Sequence, residues 1–219
     1  MQTISSDLAR QWWRALMDNV VQLLRDASTL LASGSAGRAQ SLAVLAAEEL
    51  GKAWRLYSAA EVSWRDDRPE TRLPADFVSS AKHHASKLAD AAAYGQGGSM
   101  MWDYWFARYR EQSKSSKQLQ QEAKNYNLMK QAGFYVDLRN GVVESPRSVG
   151  DDGVLSFILE IVQAANMLFV EDHVRMQNSG EDPDWTHEIW EPLIQLGRPK
   201  DGFHKPADVL GGRKDGGEL

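Results

Sequence analysis

Apolar positions recur at intervals of three and four through most of this chain, which predicts amphipathic helices. A first helix over residues 5–32 opens on Ser5-Ser6-Asp7, a cap with an acidic first turn. It carries Leu8, Trp12, Ala15, Leu16, Asn19, Val20, Leu23, Leu30 and Leu31 at helical spacing. Ser33-Gly34-Ser35-Ala36-Gly37 ends it, and so short a link makes the next helix its antiparallel neighbour. The second helix is predicted from about Arg38 to Trp64, where Arg65-Asp66-Asp67-Arg68-Pro69 breaks it.

That second helix is polar where its pattern asks for an apolar residue. Stepping about 100° per residue from Leu42, the side chains of Leu45, Ala46, Ala53 and Leu56 fall within about 60° of it, and Glu49 falls in the middle of the stripe. Glu48 and Lys52 lie on its border. A carboxylate so placed costs several kcal/mol to desolvate unless a cation or donors meet it, so another segment should supply a partner. Gly51, worth about 1 kcal/mol less than alanine inside a helix, suggests a close approach at the same level.

A third helix is predicted from Pro74-Ala75-Asp76 through Phe77, Ala81, His84, Leu88 and Ala91 to Tyr94. His84 shares its apolar face and points toward the core, in the direction from which Glu49 needs a partner. His83 is one step off that face, with Lys87 one turn beyond it. A fourth helix, over residues 99–131, is aromatic at its start and polar beyond Arg108. The interleaving of Trp102, Tyr104 and Trp105 with Arg108, Arg110, Lys114 and Lys117 is compatible with a nucleic-acid surface, although an aromatic anchor followed by a solvated face is the commoner arrangement. Residues 133–144 read as a hairpin around Asn140-Gly141, and Ser145-Pro146 ends it. A last long helix over residues 150–178 carries Leu155, Ile158, Leu159, Val162, Ala165, Asn166 and Phe169 on one face, and Asp184–Leu196 adds a short one. The pattern therefore predicts an all-α antiparallel bundle with a small β-hairpin insertion. Residues 1–196 form a single domain, and 197–219 a flexible tail rich in Gly, Pro, Lys and Asp.

Composition narrows the chemistry. The 219 residues include no cysteine, which excludes a disulfide framework and a thiolate site. The first residues lack a charged-then-apolar leader pattern, and no apolar run approaches the ~20 residues of a membrane span, so a cytoplasmic chain with no membrane partner is expected. The net charge of −5 argues against broad electrostatic DNA binding and leaves room for a local RNA patch. Eight tryptophans require large aromatic surfaces packed within the chain or against a partner.

Phosphate-cradling, dinucleotide, nucleophile-elbow and zinc-protease motifs are absent. A metal centre built from Glu48, Glu49, His83 and His84 lacks the Glu-x-x-His pairs of di-iron bundles, so neither a metal nor a cofactor is expected. Asp151-Asp152 and Glu171-Asp172-His173 read as solvated surface clusters. The constellation that remains is Glu49 and Lys52 on the second helix with His84 and Lys87 on the third. Together they provide a histidine near neutral pH, a carboxylate to orient it and ammonium groups to meet phosphate. Such a set has the parts to cleave RNA without metal. It serves equally as a buried polar lock between two helices.

The Ala/Leu-rich helix with Glu48-Glu49-Leu50-Gly51-Lys52, the His84-x-x-Lys87 segment, and Gly133-Phe134-Tyr135-Val136-Asp137 followed by Ser145-Pro146 resemble, in order and spacing, the AbiV-type abortive-infection family of the HEPN superfamily. The likeness spans roughly residues 10–175 and marks Glu48, His83, Tyr135 and Asp137 as further candidates. It implies a HEPN-like bundle and a bacterial anti-phage role, in which an infected cell is shut down by interference with RNA or translation after a phage protein is sensed. Many HEPN ribonucleases use an Arg-x4–6-His motif. Here only Arg198 and His204 have that spacing, within the Gly/Pro-rich tail, whereas catalysis needs both side chains fixed. Three roles follow: a non-catalytic module binding a phage or host component, a metal-independent endoribonuclease using Glu49, Lys52, His84 and Lys87, or a scaffold acting as the homodimer expected of such bundles.

Overall fold

The structure is a computed structural model that describes residues 2–75, 77, 116–181 and 184–197. The third helix beyond Phe77, with His83, His84 and Lys87, lies outside the described residues, as do the aromatic run at 100–106, the pair Arg198/His204 and the tail. Among the described residues the chain is built from α1 (Ser6–Ala32), α2 (Ala36–Arg65), α3 (Ser116–Phe134), α4 (Val154–Ser179) and α5 (Asp184–Gly197). Two small ribbons accompany them, β1 (Gln2–Ser5) with β2 (Glu70–Leu73) and β3 (Asp137–Arg139) with β4 (Val142–Glu144). The fold is all-α, as the periodicity predicts.

Ser5 caps α1, its hydroxyl accepting from the Leu8 amide at 3.2 Å. The buried face of α1 is Ala9, Trp13, Leu16, Met17, Val20, Val21, Leu24 and Ala27, one step round from the face read at Leu8 and Trp12, and Leu8 is exposed. Antiparallel packing of α1 on α2 brings Trp13, near the start of one, against Tyr57 and Trp64, near the end of the other, with ring centroids 5.7 and 6.2 Å apart. Phe169 of α4 completes this aromatic core at 6.1 Å from Trp13 and stacks at 5.8 Å on Trp190 of α5. Because α2 packs against α1, α3 and α4, it is buried on more than one side, which a single stripe does not describe.

The β1–β2 ribbon is not foreseen by the helical pattern. It pairs Gln2 with Leu73 and Ser5 with Glu70, and buries Thr71 and Leu73 while Glu70 and Arg72 face out. The ribbon ties the start of α1 to the end of α2: Ser6 N–H donates to Pro69 O at 3.0 Å, and the Trp64 indole to Ser6 O at 3.1 Å. The β3–β4 hairpin turns at Asn140 (φ 51°) and Gly141 (φ 79°), the two left-handed residues that a type I′ turn requires. α3 runs through Phe134, so the hairpin begins later than the apolar run suggests.

α4 alone among the described helices has the length and apolar content of a membrane span, contrary to the reading that no apolar run comes close. Its Ile158, Val162, Ala165 and Phe169 are core while Leu155 and Leu159 of the predicted face are exposed, and it also buries Asp172 and Arg175.

Candidate functional site

Three polar or exposed features stand out on this scaffold, at the α1/α4 crossing, along α2 and at the hairpin.

Where α1 crosses α4, Arg10 donates both Nη atoms to the two carboxylate oxygens of Asp172, each at 2.7 Å. Asp172 is 0% exposed, so its reading as a solvated surface residue is corrected. Arg175 donates Nε to Asp172 Oδ1 at 3.2 Å and turns its fork on Glu181, at 2.5 and 3.2 Å. Trp64 lies within 4.9 Å of the Arg10 guanidinium and 5.5 Å of Arg175. Burial lowers the pKa of Arg14, helped by the neighbouring Arg10 charge, while Asp172 and Glu181 oppose the shift. Burial works against the charge on Arg175, yet the Glu181 hydrogen bonds and the Asp172 charge outweigh it and raise its pKa. Glu181 is held below the ordinary carboxylate range by those hydrogen bonds. Burial, seconded by the Asp172 charge, pushes the Tyr57 phenol up, so it stays protonated at neutral pH. Asp172 is sealed from solvent and fully engaged, and the geometry is that of a lock between helices. The sequence signal was there to read: Arg10 shares a face with Trp13 and Met17, and Asp172 with Leu168 and Phe169.

On α2 the desolvated carboxylate is Glu48, at 2% exposure, and its partner is Lys130 of α3 at 2.5 Å. Glu49 is half-buried and pairs with Lys52 one turn on, at 3.5 Å. The expectation that Glu49 occupies the centre of the buried stripe is therefore corrected by one residue. Along the stripe drawn from Leu42, Ala46, Ala53 and Leu56 are buried while Leu42, Leu45 and Glu49 are only partly covered, and the packing of α3 turns the Glu48 flank inward. Gln40 and Ser41 brace the same junction, donating to Met129 O at 3.1 Å and Lys130 O at 2.7 Å.

The hairpin is fixed to α2 at a joint of small residues. A Cβ added at Gly133 would run into the Gly37 carbonyl and the Ser41 hydroxyl, and one added at Gly37 would run into the Pro146 carbonyl. Only glycine lets α3, α2 and the turn after β4 approach this closely. Beyond the joint, Tyr135, Val136, Leu138, Val142 and Val143 are each 63–68% exposed. Asp137 accepts from the Leu138 amide at 2.8 Å. A cavity of about 240 Å³ opens among Gln131, Ala132, Tyr135, Val136, Asp137 and Glu144.

The sequence profile of the HEPN AbiV family, described as AbiV, matches residues 8–166, most of the chain. The chain belongs to the AbiV family. No curated protein and no solved structure matches it.

The matched span of this AbiV-family chain contains Gly37, Glu48, Lys130, Gly133 and the whole hairpin, and it ends before Asp172. The residues that carry the family likeness thus have a visible task. Gly133 and Pro146 seat the hairpin, and Glu48 ties α2 to α3. Of the sequence-predicted candidates, Glu49 and Lys52 come together, Glu48 stands apart from them with Lys130, and Tyr135 and Asp137 line one cavity. His83, His84 and Lys87 lie outside the described residues, so the geometry of the four-residue set is not described. Among the described residues no group of acidic and imidazole side chains has the arrangement of a metal site.

Trp12, Trp13, Trp54, Trp64 and Trp190 are buried or half-buried, so these tryptophans are packed within the chain, one of the two arrangements their number requires. Among the described residues the most exposed large apolar side chains are Tyr135, Val136, Leu138, Val142 and Val143 at the hairpin.

Proposed function

We propose that this AbiV-family protein acts in abortive infection as a cytoplasmic binding module. The hairpin of residues 134–144 engages a phage or host component, and RNA or translation is disturbed as a consequence. The observation that supports this reading is the exposed hairpin. Phe134, Tyr135, Val136, Leu138, Val142 and Val143, at 40–68% exposure, lie on both faces of the hairpin and the turn of chain before it, beyond a close-packed glycine joint. Clusters of exposed apolar side chains of this kind mark interaction sites. A hairpin of three-residue strands with no buried face contributes little to the core, so its apolar side chains have no stabilising role to explain them.

A second reading is a metal-independent endoribonuclease using Glu49, Lys52, His84 and Lys87. It is favoured by the Glu49–Lys52 pair on α2, whose side chains are 21% and 20% exposed and so within reach of solvent. The two readings separate in cells challenged with phage. Under the binding reading, Leu138→Lys/Val143→Lys abolishes protection while purified protein melts as wild type does, and His84→Ala retains protection with cellular RNA intact. Protection that survives the hairpin substitutions but is lost in His84→Ala, together with RNA cleavage in the wild type, overturns it.

A further inference from the structure

One strip of α4 is covered by α5. Stepping about 100° per residue from Val162, the side chains of Asn166, Phe169 and His173 fall within about 40° of it. These are the residues that α5 meets. Trp190 stacks on Phe169 at 5.8 Å, donates its indole N–H to Asn166 Oδ1 at 2.7 Å and holds its ring 5.8 Å from that of His173. At the end of α5, a Cβ added to Gly197 would lie 3.4 Å from Val162 Cγ1. The helix thus runs toward the start of α4 and leaves off above Val162, but the strip continues. Leu159 and Leu155, one and two turns nearer the start of α4, fall about 60° and 20° from Val162. They are 38% and 47% exposed, so α5 points along an apolar strip that it does not finish covering.

We infer that the segment following α5, residues 198–205, folds back along α4 and seats Phe203 on Leu155 and Leu159. The reach fits: Leu155 lies about 10 Å along α4 from Val162, and the chain from Gly197 to Phe203 spans up to about 20 Å. Phe203 is the large apolar residue of that segment. The charges fit as well. Arg198, Lys200 and Lys205 against Asp201 make the segment basic, whereas residues 145–163 hold Asp151, Asp152 and Glu160, all exposed, against Arg147 as their one basic residue. A second copy of this chain fits less well, because two-fold pairing of the strip sets Asp151 and Asp152 toward their own copies. Seating Phe203 closes the strip within the chain, and displacing it offers Leu155 and Leu159 to another molecule. The inference does not involve the hairpin and is independent of the binding reading above.

The test uses the full chain. It contains no cysteine, so Ala207→Cys takes a single nitroxide label shortly beyond Phe203, and methyl spectra of leucine-labelled protein report how near the label comes to each leucine. The expected result is strong broadening at Leu155 and Leu159 and little at Leu8, which is 50% exposed beside the far end of α4. Phe203→Ser in the same labelled chain should leave the helical circular dichroism unchanged. It should shift the docking equilibrium about tenfold toward the undocked segment, as partial burial of one large apolar side chain implies, and the broadening falls accordingly. Broadening that survives Phe203→Ser unchanged, or that spreads evenly over Leu8, Leu155 and Leu159, overturns the inference. So does broadening that persists when nitroxide-bearing chains without isotope are mixed with isotope-labelled chains without nitroxide, since a second molecule then supplies the segment.

Discussion

Replacing Asp172 with asparagine should be among the most damaging single changes in the described part of this protein. The substitution keeps volume and shape but removes the charge that two guanidinium groups share, Arg10 at 2.7 Å through both nitrogens and Arg175 at 3.2 Å. Arg175 keeps Glu181, whereas Arg10, only 12% exposed at its side chain, loses its carboxylate. Removing one partner of a buried pair costs about 3–5 kcal/mol, because the charge left behind has no hydration to return to. For a chain of this size each kcal/mol lowers the melting temperature by about 2–4 °C, so a fall of about 6 °C or more is expected. Replacing both partners with apolar residues, Arg10→Met/Asp172→Leu, removes the stranded charge and should recover most of the loss, giving a coupling energy of about 2 kcal/mol or more. Urea unfolding followed by far-ultraviolet circular dichroism at neutral pH measures all four members of the cycle. An Asp172→Asn cost under about 1 kcal/mol, or a double variant as unstable as the sum of its singles, would refute the lock.

Other consequences are as direct. Gly133→Ala should cost about 2–3 kcal/mol or more, since the new methyl meets the Gly37 backbone, while Gly150→Ala, with open space around it, stays within about 0.5 kcal/mol; thermal melts of the two compare them. Lys130→Met withdraws the cation from buried Glu48 and should destabilise by about 3 kcal/mol, with Glu48→Gln/Lys130→Met milder, as urea midpoints would show. Glu181 titrates below its unfolded value of 4.5, so its contribution is complete above that pH and is lost as the pH falls through the lower folded value. Glu181→Gln should therefore flatten part of the loss of urea midpoint below about pH 4.5, and an unchanged acid slope would count against the Arg175–Glu181 clasp. Tyr57 shifts the other way: its stabilising effect holds below pH 10.0 and fades as the pH rises toward its higher folded value, which Tyr57→Phe should abolish in alkaline unfolding.

The helices were legible because apolar spacing and end signals act within one turn of chain. Ser5 capped α1 as its type and place indicated, and Asn140-Gly141 made the hairpin turn that its left-handed residues demand. The order of elements and the residues at 133–146 were enough to point to the AbiV family, and the profile match bears that out. The ribbon of β1 with β2 was hidden because four-residue strands separated by two long helices leave no local trace of their pairing.

The candidate site was less legible, for a physical reason visible at Glu48 and Glu49. These neighbours differ by about 100° on a helix, and which of them is desolvated depends on where α3 lies, a fact held by the Lys130 contact and not by α2 itself. The same holds for Asp172, whose local sequence between Glu171 and His173 reads as surface until Arg10, far away in the chain, is brought against it. Among the described residues, sequence by itself determined that the segments of α1, α2, α4 and α5 are helical, the turn of the hairpin and the family. Tertiary structure alone decided which charges are buried, which cation meets each, and that the apolar hairpin faces outward. Helix and turn propensities are properties of adjacent residues, whereas burial and pairing are properties of the space between segments.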